Sequence, residues 1–162
     1  MKYCYDCGTK LINKELEHEG IVPFCPNCNK YVFPIFSAAV SMIVTDKNQE
    51  NILLIKQYGT DFYRFVAGYI NKGESAEEAV YREIYEEVGL KPIKIAPMKT
   101  AYFEKSNTLM YNYLAICDDT SVVSNYEIDE YAWIPMNQAM DALKNAKLAL
   151  EFFKYYKDNI RK

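Results

Sequence analysis

Glu83, Glu86 and Glu87 follow Arg82 in the run REIYEEVGL, so three carboxylates stand three and four positions apart. On a helix those positions are neighbours, and like charges there repel by roughly 0.2–0.5 kcal/mol per pair. Glu86 and Glu87 would also sit near the helix C-terminus, where the macrodipole favours cations instead. A hard divalent cation such as Mg²⁺ or Mn²⁺ removes both conflicts, because it takes oxygen ligands and can also hold substrate phosphate. Upstream, Gly68 and Glu74 extend the pattern to G-x5-E-x7-R-E-I-x-E-E-x-G-L, ending at Gly89 and Leu90. A solvated acidic face explains most glutamate pairs on helices. It does not explain the whole spacing, whose chance occurrence in a chain of this size is below roughly one in a million at ordinary residue frequencies. Metal beside a glycine loop points to phosphate chemistry.

A second metal-binding pattern lies at the start of the chain. Cys4 and Cys7 form one CxxC pair and Cys25 and Cys28 another. Two such turns supply the four thiolates of a tetrahedral Zn²⁺ site. A redox CxxC needs only one pair, set in a βαβ pattern. Gly8 suits the tight backbone after the first pair. Between the pairs, KLINKELEHEGIVPF has few apolar residues and reads as a hairpin held by metal rather than by a core. Cys117 stands alone and reads as a buried apolar thiol. His18 is the only histidine, so a Ser-His-Asp or Cys-His mechanism would rest on that residue alone.

The elements that must position these groups follow from periodicity and turn residues. Residues 1–34 read as a zinc ribbon and 35–162 as a second domain. SAAVSMIVTD, NILLIKQY and FYRFVAGYI read as strands, the third running into the glycine loop. Ser75 to Val88 reads as a helix, with Ser75 as N-cap, Glu78 as its capping-box partner and Gly89 as the stop. Ala76, Ala79 (or Val80), Ile84 and Val88 supply its buried stripe. KIAPMKTAYF, TLMYNYLAIC and EIDEYAWIP read as further strands. MNQAMDALKN and KLALEFFKYYKDNI read as closing helices. The class is α+β.

Composition sets the outer limits. The 162 residues suit one domain with a small module, and 50% hydrophobic residues allow a full core. A formal net charge of -3 gives no chain-wide nucleic-acid footprint. Fifteen tyrosines and eight phenylalanines are chiefly packing residues, with some free to stack on a base. MKYCYDCGTK has no apolar core of a leader peptide, and no apolar run is long enough for a bilayer span. Paired CxxC motifs fit a reducing compartment, so the expected location is the cytoplasm.

The Gly68–Leu90 pattern matches the Nudix box at every defining position, and the chain resembles the Nudix hydrolases. The four-cysteine ribbon ahead of it resembles the NADH pyrophosphatase branch. The resemblance implies an α/β/α sandwich with a mixed sheet behind a small zinc ribbon. It implies hydrolysis of a pyrophosphate bond in a nucleoside diphosphate derivative, with NAD(H) giving AMP and nicotinamide mononucleotide. Carried over by position, the Ala67 carbonyl, Glu83, Glu87 and Glu127 would hold Mg²⁺ or Mn²⁺, with Glu86 a further ligand or the base. Arg82 would orient the carboxylates. Phe33 and Tyr69 fall where that branch stacks aromatics on nicotinamide, ordinary packing being the alternative. Phe103 stands in Thr100–Thr108, TAYFEKSNT, where the branch carries SQPWPFPxS. That departure touches the substrate and leaves the hydrolytic core intact. The implied partners are a small nucleotide, NAD-capped RNA ends and a second copy in a homodimer. The alternatives are ADP-ribose, a sugar nucleotide or a damaged nucleotide as substrate, or a ligand-sensing or RNA-binding module without catalysis.

Overall fold

The computed structural model describes residues 1–161. They divide into a first unit, Met1–Phe36, and a second that begins at Ser37.

The first unit is a three-stranded antiparallel sheet, β1 (Ile12–Leu16), β2 (Gly20–Cys25) and β3 (Lys30–Tyr31), in the order β1-β2-β3. Its buried apolar cluster is Cys4, Cys25 and Val32, with Leu11 and Cys28 packed against it, and Val22 and Phe24 of β2 are buried besides. So little apolar area leaves the fold dependent on a further staple. Gly8 has φ of 70°, the conformation expected of it.

The second unit is a six-stranded mixed sheet. Its strands are β4 (Ser37–Asp46), β5 (Asn51–Gln57), β6 (Val66–Tyr69), β7 (Pro92–Phe103), β8 (Thr108–Cys117) and β9 (Ile128–Pro135). The order is β7-β8-β4-β5-β9, with β6 paired to β4. β4 runs parallel to β8 from Ser37↔Thr108 to Asp46↔Cys117, and antiparallel to β5 and β6. Three helices complete the unit: α1 (Ala76–Val88), α2 (Ala139–Ala142) and α3 (Lys147–Asn159).

Strand alternation sorts the core into two layers. Val40, Met42 and Val44 of β4 and Leu53 and Ile55 of β5 share a cluster with Ala79, Val80, Ile84 and Val88 of α1. Ile43, Ile52 and Leu54 face the other way, into a cluster with Phe152, Phe153 and Tyr156 of α3. Central strands buried on both faces read as continuous apolar runs rather than alternating ones, which is why SAAVSMIVTD and NILLIKQ look uniformly hydrophobic. The result is the expected α/β/α sandwich.

Two sequence expectations are corrected. FYRFVAGYI is a strand only over Val66–Tyr69; ahead of it Arg64 makes an isolated bridge to Ile55. MNQAMDALKN is helical only over Ala139–Ala142, and its turn is closed by Leu143 N–H bonding the Ala139 carbonyl. Both runs carry apolar residues that the core takes up without a regular element: Phe65 and Met136 are buried outside the strand and the helix. No helix among the described residues is long and apolar enough to cross a membrane.

Candidate functional site

α1 begins as its sequence dictates. Ser75 Oγ accepts from Glu78 N–H at 3.2 Å, and the Glu78 carboxylate accepts from Ser75 N–H at 2.8 Å, closing the capping box. Gly89 closes the other end with φ of 71° and donates to the Tyr85 carbonyl at 3.0 Å. No basic residue lies in the last turn. The carboxylates there are met by none of the compensation that helix C-termini usually carry.

Arg82 organises the outer carboxylates. Its Nε and Nη2 donate to the two oxygens of Glu74 at 2.7 and 2.8 Å. Nη1 donates to Glu83 at 2.7 Å and Glu86 at 3.1 Å, and Nη2 also reaches the Tyr69 carbonyl at 3.0 Å. All five guanidinium donors are thereby engaged. The pair holds Glu74 well below the usual carboxylate range, at about 2.

Gly68 is glycine for a steric reason. A Cβ there would lie 1.9 Å from Cδ of Glu83. The Glu83 carboxylate is therefore pressed against the backbone of β6, and half-burial raises its pKa in spite of Arg82.

Glu87 is the outlier. It is 4% exposed, and its Oε2 is buried with no hydrogen-bond partner. Burial, and then the charges of Glu83, Glu127 and Glu86, push its carboxyl up to about 8. Isolated buried charges of this kind are strongly disfavoured unless something pairs with them.

Glu127 is delivered by the loop that follows β8. Val123 N–H donates to the Val88 carbonyl and Asn125 N–H to the Glu87 carbonyl, each at 3.0 Å. The Asn125 side chain then accepts from Glu127 N–H at 2.9 Å. Tyr58 donates its hydroxyl to the Glu127 carboxylate at 2.6 Å, from a backbone with φ of 55°. Sequence reasoning missed Tyr58. Its only signal was its place before Gly59 in a tight turn, and the pairing with Glu127 spans 69 residues.

These groups line one open cavity of about 560 Å³. Ala67, Glu83, Glu86, Glu87 and Glu127 are on its wall, with Tyr58, Tyr69 and Phe103 around them. Arg82 lies behind the carboxylates it holds. Phe33 belongs to the first unit and is 53% exposed.

The donor set fits a divalent cation. Glu87 has an orphaned buried oxygen, and the neighbours that raise its pKa are themselves carboxylates, the ligands that hard cations take. The carboxylates do not close to the spacing of the cysteines. Among the described residues, the four cysteines alone bring three or more ligand atoms within 4.8 Å of one another. Cys4 and Cys28 sulfurs are 4.0 Å apart, and Cys7 and Cys25 sulfurs 3.5 Å. A tetrahedral zinc with Zn–S of about 2.3 Å requires sulfurs about 3.8 Å apart, so the set fits Zn²⁺. The Thr9 hydroxyl and backbone beside it hold the Cys7 thiol down, and the neighbouring Cys7 sulfur pushes Cys28 up.

Comparison with known proteins agrees with this geometry. The family model described as the NUDIX domain matches residues 36–156. The chain belongs to the Nudix family. Relatives are named NAD-capped RNA hydrolases. One from Pseudomonas aeruginosa is 25% identical over 137 residues, covering 84% of this chain and 48% of that protein. Another, from Caenorhabditis elegans, is 30% identical over 125 residues, covering 74% of this chain and 33% of that protein. The Nudix chain here thus spans half or less of the length of these two relatives. Among solved structures, a Nudix hydrolase from Nitrosomonas europaea aligns with a TM-score of 0.66 at 17% identity, covering 99% of this chain and 92% of that one. An Ap4A hydrolase from Caenorhabditis elegans aligns at 0.63, with 17% identity, 75% of this chain and 95% of that one. At such identities the structural likeness concerns the Nudix fold.

Proposed function

We propose that this Nudix chain hydrolyses the pyrophosphate bond of a nucleoside diphosphate derivative, with NAD(H) as the leading substrate, giving AMP and nicotinamide mononucleotide. The observation that carries the reading is Glu87: a buried, partnerless carboxylate flanked by three others on the wall of an open cavity. A structural helix gains nothing from that arrangement, whereas a phosphate-handling site requires it.

Glu83, Glu87, Glu127 and the Ala67 carbonyl are the groups that would hold Mg²⁺ or Mn²⁺, with Glu86 beside them. When bound, the cation neutralises phosphate-oxygen charge and acidifies water. Glu86 is the most exposed of the acids that Arg82 grips, which leaves it reachable from the cavity. In this scheme Glu86, or one of its neighbours, accepts the proton as the oxygen of water bonds to phosphorus. The bridging P–O bond breaks and its electron pair leaves with the second phosphate. Arg82 keeps the acids aimed, and Gly68 leaves room for Glu83. Tyr69 and Phe103, on the cavity wall, would meet the base or nicotinamide. Phe33 is a further ring that the family resemblance assigns to nicotinamide, and the four cysteines of the first unit would hold structural Zn²⁺.

The names of the relatives support NAD-capped RNA ends, and NAD(H) rests on the resemblance of the ribbon and box to the NADH pyrophosphatase branch. A specific observation favours a second reading, another nucleoside diphosphate derivative such as ADP-ribose or a sugar nucleotide. Phe103 and the turn Glu104–Ser106, in the segment that departs from SQPWPFPxS, line the cavity wall or the hollow beside it. A phosphate-release panel with Mg²⁺ or Mn²⁺ over NADH, NAD, ADP-ribose and sugar nucleotides decides between them. Turnover of NADH above the rest supports the first reading, and ADP-ribose far above NADH supports the second. No turnover of any would refute hydrolysis and leave a ligand-sensing module. The homodimer rests on the family resemblance, and sedimentation velocity tests it.

A further inference from the structure

The cleft does not end at the carboxylates. A second hollow of about 610 Å³ adjoins it, sharing Ala67, Phe103, Met110 and Leu148 with the first. Its character is opposite. Arg64, Lys105 and Lys147 line it. Two acids are also present, Glu104 and Glu151, and Lys99 pairs with Glu151 at 2.5 Å. Cations therefore exceed the acids left over.

The cations come from three separate elements that the fold brings together. Arg64 is pinned by its backbone to Ile55, through bonds of 3.0 and 2.9 Å. Its guanidinium lies 4.7 Å from the Phe62 ring centre and donates once, to Thr60 Oγ1 at 3.1 Å, while Nε is buried with no acceptor. Lys105 is in the turn Glu104–Ser106. Lys147 opens α3, whose N-cap Ala146 offers no side-chain cap and whose first turn has no acid. A lysine at that end of a helix opposes the macrodipole. Among the described residues no carboxylate pairs with Arg64, Lys105 or Lys147. The contrast with Arg82, whose five donors are all engaged, is direct. Three cations line this hollow against one acid left over, Glu104, and that excess suits an anion supplied from outside.

We propose that this hollow is an anion subsite that takes a second phosphate, carried on the nucleotide half of the substrate beyond the scissile pyrophosphate. The assignment rests on the pyrophosphohydrolase reading for which bond is cut, but not for anion binding itself. The phosphate could be the 3′-phosphodiester of a nucleic-acid 5′ end or the 2′- or 3′-phosphate of a small nucleotide. The chemistry recognised is the same.

Binding to the full chain, without added divalent metal, tests it independently of turnover. The probes are adenosine 5′-monophosphate, the 2′,5′- and 3′,5′-bisphosphates, and a 5′-phosphorylated dinucleotide, titrated calorimetrically. The expected result is at least one two-phosphate probe binding about tenfold tighter than the monophosphate, as one charge-assisted contact set supports. Raising salt should shrink that ratio. Arg64→Ala should bring it near one, and Arg64→Lys should restore part. The Lys105→Ala/Lys147→Ala double variant covers the case in which Arg64→Ala does not fold. The dinucleotide distinguishes a nucleic-acid end from a small bisphosphate. Equal affinities in the wild type, or a ratio unmoved by the variants, would overturn the subsite. So would an equal loss for monophosphate and bisphosphate, which would assign the cations to the common phosphate. If the preference holds but no pyrophosphate is turned over, the hydrolase reading fails and the anion subsite stands.

Discussion

Replacing Glu87 by Gln should remove activity and, under defined conditions, make the protein more stable. The carboxyl is 4% exposed with one orphaned oxygen, and its pKa rises from an ordinary 4.5 to about 8. A folded pKa above the unfolded one means that the native state holds the proton more tightly. That contribution is fully present below about pH 4.5 and is lost as pH rises through about 8. An offset of about 3.5 pH units corresponds to on the order of 5 kcal/mol between the two limits, at about 1.4 kcal/mol per unit. The amide cannot ionise, so it avoids this loss, but its buried N–H group costs about 1–3 kcal/mol if left unbonded. Glu87→Gln should therefore match or fall slightly below the wild type at pH 5. At pH 9, without added divalent metal, it should exceed the wild type by about 3 kcal/mol, roughly 9 °C in Tm for a chain of this length. Trp133, the single tryptophan, lies in β9 and reports on the second unit by fluorescence. Added Mg²⁺ or Mn²⁺ should raise the Tm of the wild type at pH 9 and leave the variant nearly unmoved. The reasoning is refuted if the variant shows the same pH dependence as the wild type, or if it retains wild-type turnover.

Three further expectations follow from contacts in the structure. Gly68→Ala places a methyl where the Glu83 carboxylate lies; kcat/KM should fall at least about tenfold, about 1.4 kcal/mol, and unchanged kinetics would remove Glu83 from the site. Tyr58→Phe deletes the donor to Glu127; a loss of one hydrogen bond of about 1 kcal/mol predicts about a fivefold fall in kcat/KM, and full activity would show that Glu127 needs no orienting partner. Cys25→Ser should reduce bound zinc well below about one per chain. Amide dispersion should then collapse for residues 1–36 in an NMR spectrum, while Trp133 fluorescence is unchanged; a first unit that stays folded without zinc would refute the metal-staple argument.

Local patterns explain why α1 was legible to within a residue. Capping, stripe and stop are all encoded over Ser75–Gly89, and the structure returns each of them. The strands buried on both faces were legible as apolar runs for the same local reason. The short helix Ala139–Ala142 was not, because MNQAMDALKN has helix-forming residues but ends its regular turn where Leu143 and Met136 are drawn into the core. The run FYRFV shows the same limit: Phe65 is buried, yet only one bridge joins that stretch to Ile55.

The sequence by itself determined the acidic helix, the glycine at position 68 and the cysteine pairs, because each depends on spacings within one short segment. Tertiary structure decided what those groups face. Glu87 is an ordinary glutamate until α1 packs on β6 and the loop carrying Val123 and Asn125 closes over its end, and Gly68 is merely flexible until Glu83 is folded against it. Tyr58 and Glu127 meet across 69 residues, and Arg64, Lys105 and Lys147 share a hollow only when three distant elements pack together. Burial and electrostatic coupling act through space, and no periodicity along the chain carries that information.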